Sequence, residues 1–257
     1  TSSMTKIIAF VRRPGSSFNQ AISAKPKNQP INVKLACLQH DRYIVALEEA
    51  NAEVVSLPAI NEYPDAPFLE DTTVILDNTA VACPNKEKSR RGEGTSIHNK
   101  IKKYKPITTL PDSVTLDGGD VLNTEEKIFV GISDRTNMGA VDALAKLTKK
   151  PVVPIKVLLG LHLKTSVTYL GKNTLILNSS SIDTAALRGF KWIETGKANP
   201  YAANCLAIGN TVLMSKASNA LADKIHRRGF KVLELDISEF EKADGGITCL
   251  SIILNES

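Results

Sequence analysis

The chain alternates short apolar runs with polar pairs. Each pair of runs is followed by a stretch of helical periodicity and one more apolar run. In the first such unit, Thr72-Thr73-Val74-Ile75-Leu76 and Thr79-Ala80-Val81-Ala82-Cys83 flank Asp77-Asn78, which predicts a hairpin. Ser89–Tyr104 follows with Ile97, Ile101 and Tyr104 at helical spacing, then a strand over Pro106–Leu110. The second unit pairs Asp120-Val121-Leu122 with Ile128–Ile132 across Glu125-Glu126. Its helix is expected over Asp134–Leu147 and its closing strand over Val152–Leu158, with Pro154 marking an edge or bulge. The third pairs Ser166–Leu170 with Thr174–Leu177 across Gly171-Lys172-Asn173, with a short helix over Ser180–Leu187 and a strand over Phe190–Ile193. The fourth pairs Leu206–Ile208 with Thr211–Met214 across Gly209-Asn210. A helix over Ser218–Arg228 is stopped by Gly229, and a strand over Lys231–Leu235 completes the unit.

The fifth unit is split between the chain ends. A strand over Ile247–Leu254 is continued by Ile7–Val11, a helix over Val33–Ala50 and a strand over Glu53–Leu57. Unit starts at 73, 119, 165, 204 and 246 are 46, 46, 39 and 42 residues apart, the drifting period of an array or propeller. Both ends falling in one unit argues for a closed ring. The alternative is an ordinary open α/β sheet, and the excess of hairpins over crossovers ranks it second. Asp71, Asp117, His162, Asn204 and Cys249 each stand where a unit begins. A ring would bring such equivalent positions together at its axis.

Composition narrows the picture. No Gly/Ser-rich or Pro-rich linker divides the 257 residues, so one domain over 1–257 is expected. Thr1-Ser2-Ser3 ahead of Met4 read as an expression remnant. The net charge of +5 is not gathered into a dense basic block, and there are only five tyrosines and one tryptophan, which argues against nucleic-acid binding. No apolar run is long enough to span a bilayer, and no signal peptide is recognised. The four cysteines, Cys37, Cys83, Cys205 and Cys249, form no Cys-x-x-Cys pair, and the four histidines show no metal-ligand spacing. A reducing, cytoplasmic setting without a bound metal is the simplest reading.

Taken singly, the candidate residues are ordinary. Free cysteines are usually small buried hydrophobes, and a lone histidine flanked by leucines is more often a core residue. Asp117-Gly118-Gly119-Asp120 reads as a turn and Glu70-Asp71 as a loop. Taken together they place a thiol, an imidazole and acids at equivalent positions of the repeat. Such a thiol is a nucleophile if a base is near or its pKa is lowered. Carboxylates at a pocket suit a cation such as a guanidinium, and Arg90, Arg91 and Arg135 carry the fork that binds a carboxylate. An arginine-like amino acid fits both ends.

At these residues the chain resembles the dimethylarginine dimethylaminohydrolases of the guanidino-group-modifying (pentein) superfamily. The resemblance runs through Gln39-His40, Pro64-Asp65, Phe68-Leu69-Glu70-Asp71, Ser89-Arg90-Arg91 and Leu116–Leu122. It continues through Gly131–Asn137, Leu161–Lys164, Ala202–Cys205 and Asp244-Gly245-Gly246 to Cys249. It implies the α/β fold of that family, a five-bladed pseudo-symmetric propeller of ββαβ repeats. It also implies that Cys249 attacks the guanidinium carbon, that His162 serves as acid and then base, and that Asp117 orients His162. Asp71 would hold guanidinium nitrogens, with Asp65, Glu70 and Ile247 lining the substrate site. Arg90 and Arg135 would bind the α-carboxylate, and the Ile22 backbone the α-amino group. The implied reaction converts N-methylated arginine to citrulline and methylamines through a thiouronium adduct, without a cofactor. The implied partner is that small molecule, and a homodimer is kept open.

The deiminase branches carry His-x-Asp where this chain has His162-Leu163-Lys164. The missing acid suits a methylated guanidinium with fewer N–H donors. Two alternatives remain: a deiminase of arginine or another guanidine, and a non-catalytic ring protein that binds. The segment Cys83–Lys88 departs from the family's Arg-Pro-Gly ahead of Ser-Arg-Arg, and Arg12–Phe18 matches its substrate loop loosely.

Overall fold

The computed structural model describes residues 5–24, 29–197, 199–216 and 219–256. Thr1–Met4 and the expected helix start at Ser218 lie outside them. Strand β1 (Lys6–Arg12), helix α1 (Val33–Glu49) and β2 (Ala52–Leu57) open the chain. The first internal unit comprises β3 (Thr73–Ile75), β4 (Ala80–Ala82), α2 (Thr95–Ile101) and β5 (Ile107–Thr109). The second comprises β6 (Val121–Asn123), β7 (Ile128–Ile132), α3 (Met138–Ala145) and β8 (Val152–Lys156). A single turn, α4 (Leu163–Ser166), leads into β9 (Val167–Gly171), β10 (Thr174–Leu177) and β11 (Lys191–Glu194). Then come β12 (Leu206–Ile208), β13 (Thr211–Ser215), α5 (Asn219–Arg227), β14 (Lys231–Leu235), the turn α6 (Ser238–Glu241) and β15 (Ser251–Glu256).

The strands form five separate three-stranded sheets, each with a central strand paired antiparallel on one side and parallel on the other. The hairpin pair and the crossover strand of each sequence unit are thus one blade. In the split blade, β15 pairs antiparallel with β1 from Lys6↔Glu256 to Val11↔Ser251, and β1 pairs parallel with β2. Pro154 sits on β8, an edge strand paired only with β7, where a missing N–H costs no ladder bond.

Five apolar clusters join the blades, and each draws on two neighbours. Val74 and Val81 meet Val121 and Leu144, and Leu122 and Phe129 meet Val167 and Leu175. Ile176 and Ile193 meet Val212 and Phe230, and Leu213 and Phe240 meet Val11 and Leu250. Ile8 and Leu254 meet Leu69 and Ile101. An open row of five blades has four interfaces; the fifth closes the ring, which is the five-bladed α/β propeller expected.

Four expected elements differ. The helix read over 89–104 is confined to Thr95–Ile101, with a separate 3-10 turn at Lys88–Arg90 ahead of it. The helix read over 134–147 begins only at Met138, because the Ser133, Arg135 and Asn137 N–H groups donate to Thr136 O, Ser133 Oγ and Thr115 O. The helix read over 180–187 is reduced to a 3-10 turn, Ala185–Leu187. An isolated bridge, Val157↔Ile182, holds the preceding residues against the end of β8. The strand read from Ile247 starts at Ser251, because Ile247–Leu250 is a 3-10 turn closed by Cys249 N–H to Gly246 O.

That last difference reveals how the site is placed. Leu69–Thr72 and Gly118–Asp120 are 3-10 turns, and α4 and Ile247–Leu250 are likewise single helical turns. Each immediately precedes the first strand of its blade. Such a turn offsets the chain from the strand and presents a polar side chain toward the axis: Asp71, Asp117, His162 and Cys249.

Candidate active site

Asp71, His162 and Cys249 line a cavity of about 170 Å³, together with Ile22, Asp65, Arg90 and Arg135, and Asp117 lies buried behind His162. A tighter cleft beside it is walled by Glu70, Lys164, Asn204, Tyr201 and the same His162 and Cys249. A separate axial recess of about 770 Å³ is lined by the first strand of every blade, and it too reaches Glu70 and Lys164.

The imidazole of His162 is buried, with Nε2 2.9 Å from Asp117 Oδ2. Burial by itself favours the neutral ring, but Asp71, the Asp117 hydrogen bond and Asp120 outweigh it and raise the pKa to about 9. Asp117 is fixed at both oxygens. Asn85 Nδ2 donates to Oδ1 at 2.8 Å, and Arg135 Nη1 lies 3.4 Å from Oδ2. Its backbone N–H donates to Thr136 Oγ1. Asp120 braces the next layer, accepting from Ser133 Oγ and the Leu163 N–H. The glycines here allow close approach: a Cβ on Gly119 would lie 2.8 Å from His162 Nδ1, and one on Gly118 would collide with the Glu70 carbonyl.

Cys249 is half-buried, and its Sγ accepts the Gly246 N–H at 3.3 Å. Burial, then the charges of Glu70 and Asp71, push the thiol well up, against smaller downward effects of that N–H and of Lys164. A cation against the same carboxylates would reverse their effect on the thiol. Asp71 accepts from Arg90 Nη1 at 2.8 Å and from the Gly119 N–H. Burial would raise its pKa, but His162 and Arg90 prevail and lower it. Asp65 and Glu70 are raised, in each case by burial first. Glu70 is matched by Lys164 at 2.7 Å and by the Thr248 hydroxyl at 2.9 Å. Lys164, whose sequence position marks a missing acid, is therefore the counter-charge of a buried one.

The site residues expected from sequence come together with two differences. Ile247 does not line the cavity: it is wholly buried in the apolar core, and its carbonyl accepts the Tyr43 hydroxyl. Ala243, Asp244 and Gly245 form that part of the wall. Arg90 reaches the cavity, but it is not an open fork. Nε and Nη2 bind Glu93, Nη2 also binds the Phe68 carbonyl, and Nη1 binds Asp71, which commits four of its five N–H groups. Arg135 makes only longer contacts, at 3.4 Å to Asp117 and 3.6 Å to Glu87, and its guanidinium is more readily redirected. The Ile22 N–H donates to Asp65 and the Ala24 N–H to Asp244, which draws this loop over the cavity.

Sequence reasoning missed Asn85, Glu93, Thr248 and Tyr201. Glu93 had a signal, since it stands three residues after Arg90, the spacing of a helical ion pair. Asn85 had one only as a departure from the family's Arg-Pro-Gly. Among the described residues, Asp71, Asp117 and His162 are a group of possible ligand atoms that converge, within 4.8 Å. Their atoms are engaged with Arg90, Gly119, Asn85 and one another, which is the wiring of a proton-handling pair.

The sequence model described as N,N dimethylarginine dimethylhydrolase, eukaryotic, matches residues 8–254. The N(G),N(G)-dimethylarginine dimethylaminohydrolase of Pseudomonas aeruginosa is 31% identical, over 95% of this chain and 97% of that one. A solved structure of the Pseudomonas aeruginosa enzyme, a cysteine-to-serine variant complexed with citrulline, superposes with a TM-score of 0.92 at 27% identity. The match covers 98% of this chain and 100% of that one. The N-terminal domain of ArgZ, a cyanobacterial arginine dihydrolase bound to product, shares the fold at a TM-score of 0.90 and 20% identity, over 98% of each chain. With its thiol, imidazole and acids brought together, the chain belongs to the dimethylarginine dimethylaminohydrolase family of hydrolases that act on guanidino C–N bonds.

Proposed function

We propose that the protein hydrolyses N-methylated arginine, asymmetric dimethylarginine or monomethylarginine, to citrulline and the corresponding methylamine. The observation that carries this reading is the meeting of Cys249, the His162–Asp117 pair and the Asp71 carboxylate in one cavity with Arg135 on its wall. Asp71, with its charged form favoured, takes the guanidinium N–H groups, and the cation so bound offsets the charge that holds the Cys249 thiol protonated. Cys249 gives its proton to solvent water, and its sulfur attacks the guanidinium carbon. His162, held as an imidazolium by the surrounding acids, protonates the amine as its C–N bond breaks, leaving a thiouronium adduct. The neutral ring then takes a proton from water as the oxygen attacks the same carbon. Collapse breaks the C–S bond, the hydroxyl proton passes through solvent to the departing Cys249 sulfur, and citrulline is released.

Arg135 receives the substrate carboxylate, while Arg90 serves mainly as the counter-charge that fixes Asp71. Asp65 and the Ile22 backbone lie where the α-amino group would enter. Asp71 is the acid presented to the guanidinium, because it lines the cavity beside His162 and Cys249, with Arg90 fixing its position, whereas Glu70 is turned into the tighter cleft against Lys164. One acid suits a guanidinium whose far nitrogen carries methyl groups, which favours the methylated substrates over arginine. The arginine dihydrolase reading is the second, supported by a shared fold alone. A purely binding role has no use for the thiol and imidazole retained here.

The test is acid quenching during turnover of asymmetric dimethylarginine, followed by mass analysis of the Cys249 peptide. A substrate-derived adduct on Cys249, absent from Cys249→Ser, is expected. Turnover by Cys249→Ser would refute the mechanism.

A further inference from the structure

We propose that Asn85 is a positioning residue of this active site: its amide clasps Asp117 to the segment carrying Asp71, and so sets both the aim of His162 and how readily His162 releases its proton. The inference rests on the reading of His162 as acid and then base. Asn85 lies just beyond β4 and is 8% exposed. Both hydrogens of Nδ2 are used, one on Asp71 O at 3.0 Å and one on Asp117 Oδ1 at 2.8 Å. It therefore spans two blades at the point where their catalytic turns meet. With Oδ1 held by Asn85, the carboxylate plane of Asp117 is fixed and Oδ2 is directed at His162 Nε2.

The contact also has an electrostatic consequence. The groups around His162 are mostly acidic: Asp71 from the turn before β3, Asp117 and Asp120 around the turn before β6, and Glu70 across the cleft. Arg90 offsets Asp71, Arg135 approaches Asp117, Lys164 neutralises Glu70, and Cys249 and Tyr201 complete the wall. This surround suits an imidazolium that must protonate an amine. It is less suited to the second half of the reaction, in which the ring must accept a proton from water. A donor on Asp117 draws carboxylate charge away from His162 and weakens the hold on the imidazolium. Without that donor, the charge on Asp117 falls more fully on His162.

The test uses the full chain with Asn85→Ala and Asn85→Gly, the glycine variant serving should alanine disturb the fold. His162 titration is read by NMR, independently of substrate, beside citrulline formation against pH. In either variant the imidazolium should persist about 0.5–1 pH unit higher than in the parent. On methylated arginine, kcat should fall about 5- to 20-fold with KM within about twofold, and the Cys249 adduct should accumulate as its hydrolysis slows. A lower melting temperature with an unmoved His162 titration overturns the proposal, because a merely structural brace would do only that. A shifted titration in a protein whose parent releases no citrulline would support the contact and refute the hydrolase reading instead.

Discussion

Arg90 and Arg135 show how far residue type alone misleads. Both carry the fork that binds carboxylates, yet Arg90 spends it on Glu93 and Asp71 in a buried network while Arg135 makes only long contacts. Arg135→Ala is expected to raise KM for methylated arginine about 10-fold or more, with a smaller change in kcat, in steady-state kinetics. Arg90→Ala should instead lower stability by about 3–5 kcal/mol in denaturant titration, because it strands two buried carboxylates. Equal effects of the two on KM, without loss of stability in Arg90→Ala, would reverse these assignments. At this scale the convergence of Cys249, His162 and the acids was legible, because the repeat marked their positions. Ile247 was not: proximity to Cys249 in sequence does not reveal which side of a turn faces the cavity. Asn85 was not, because its partners lie in two other turns, and Glu93 was signalled only by its spacing from Arg90.

Among the elements, the hairpins were legible to within a residue or two. Two of the turns, at Gly171-Lys172-Asn173 and at Gly209, carry positive φ angles that glycine and asparagine adopt most cheaply. Gly229 likewise ends α5 at φ +88°. Helix lengths were over-read where tertiary bonds claimed the first N–H groups, as ahead of Met138. Helix α1 holds a separate feature, His40, which is fully buried with neither ring nitrogen hydrogen-bonded and packs against Tyr43 and Phe240. Burial, with Arg13 adding to it, lowers its pKa to about 4. The unfolded chain takes up this proton near the ordinary value of ~6.5, before the folded one does. The stability associated with neutral His40 is therefore full above about pH 6.5 and lost as pH falls toward 4, by about 3 kcal/mol. His40→Leu should show a flatter decline than the parent between pH 6.5 and 4 in melting curves. Parallel declines would mean that His40 is not the acid-sensitive group.

The whole molecule is a ring whose closing blade is made from both chain ends. Lys6 lies opposite Glu256 in an antiparallel ladder, so the pairing of β15 with β1 replaces a hairpin found in every other blade. Closure was legible from the split unit and the period, and the five inter-blade clusters account for it physically. Joining the ends with a short flexible linker and opening the chain at Lys172-Asn173, in an exposed turn remote from Cys249, should preserve the far-UV spectrum and most of the activity. An unfolded permutant would show that the ring depends on the order in which its blades form.

The most direct test of the central claim is citrulline release from asymmetric dimethylarginine, monomethylarginine and arginine, measured side by side with Cys249→Ser as control. Citrulline is expected from both methylated substrates, with little from arginine and none from the variant. Citrulline mainly from arginine, or undiminished release by Cys249→Ser, would contradict it.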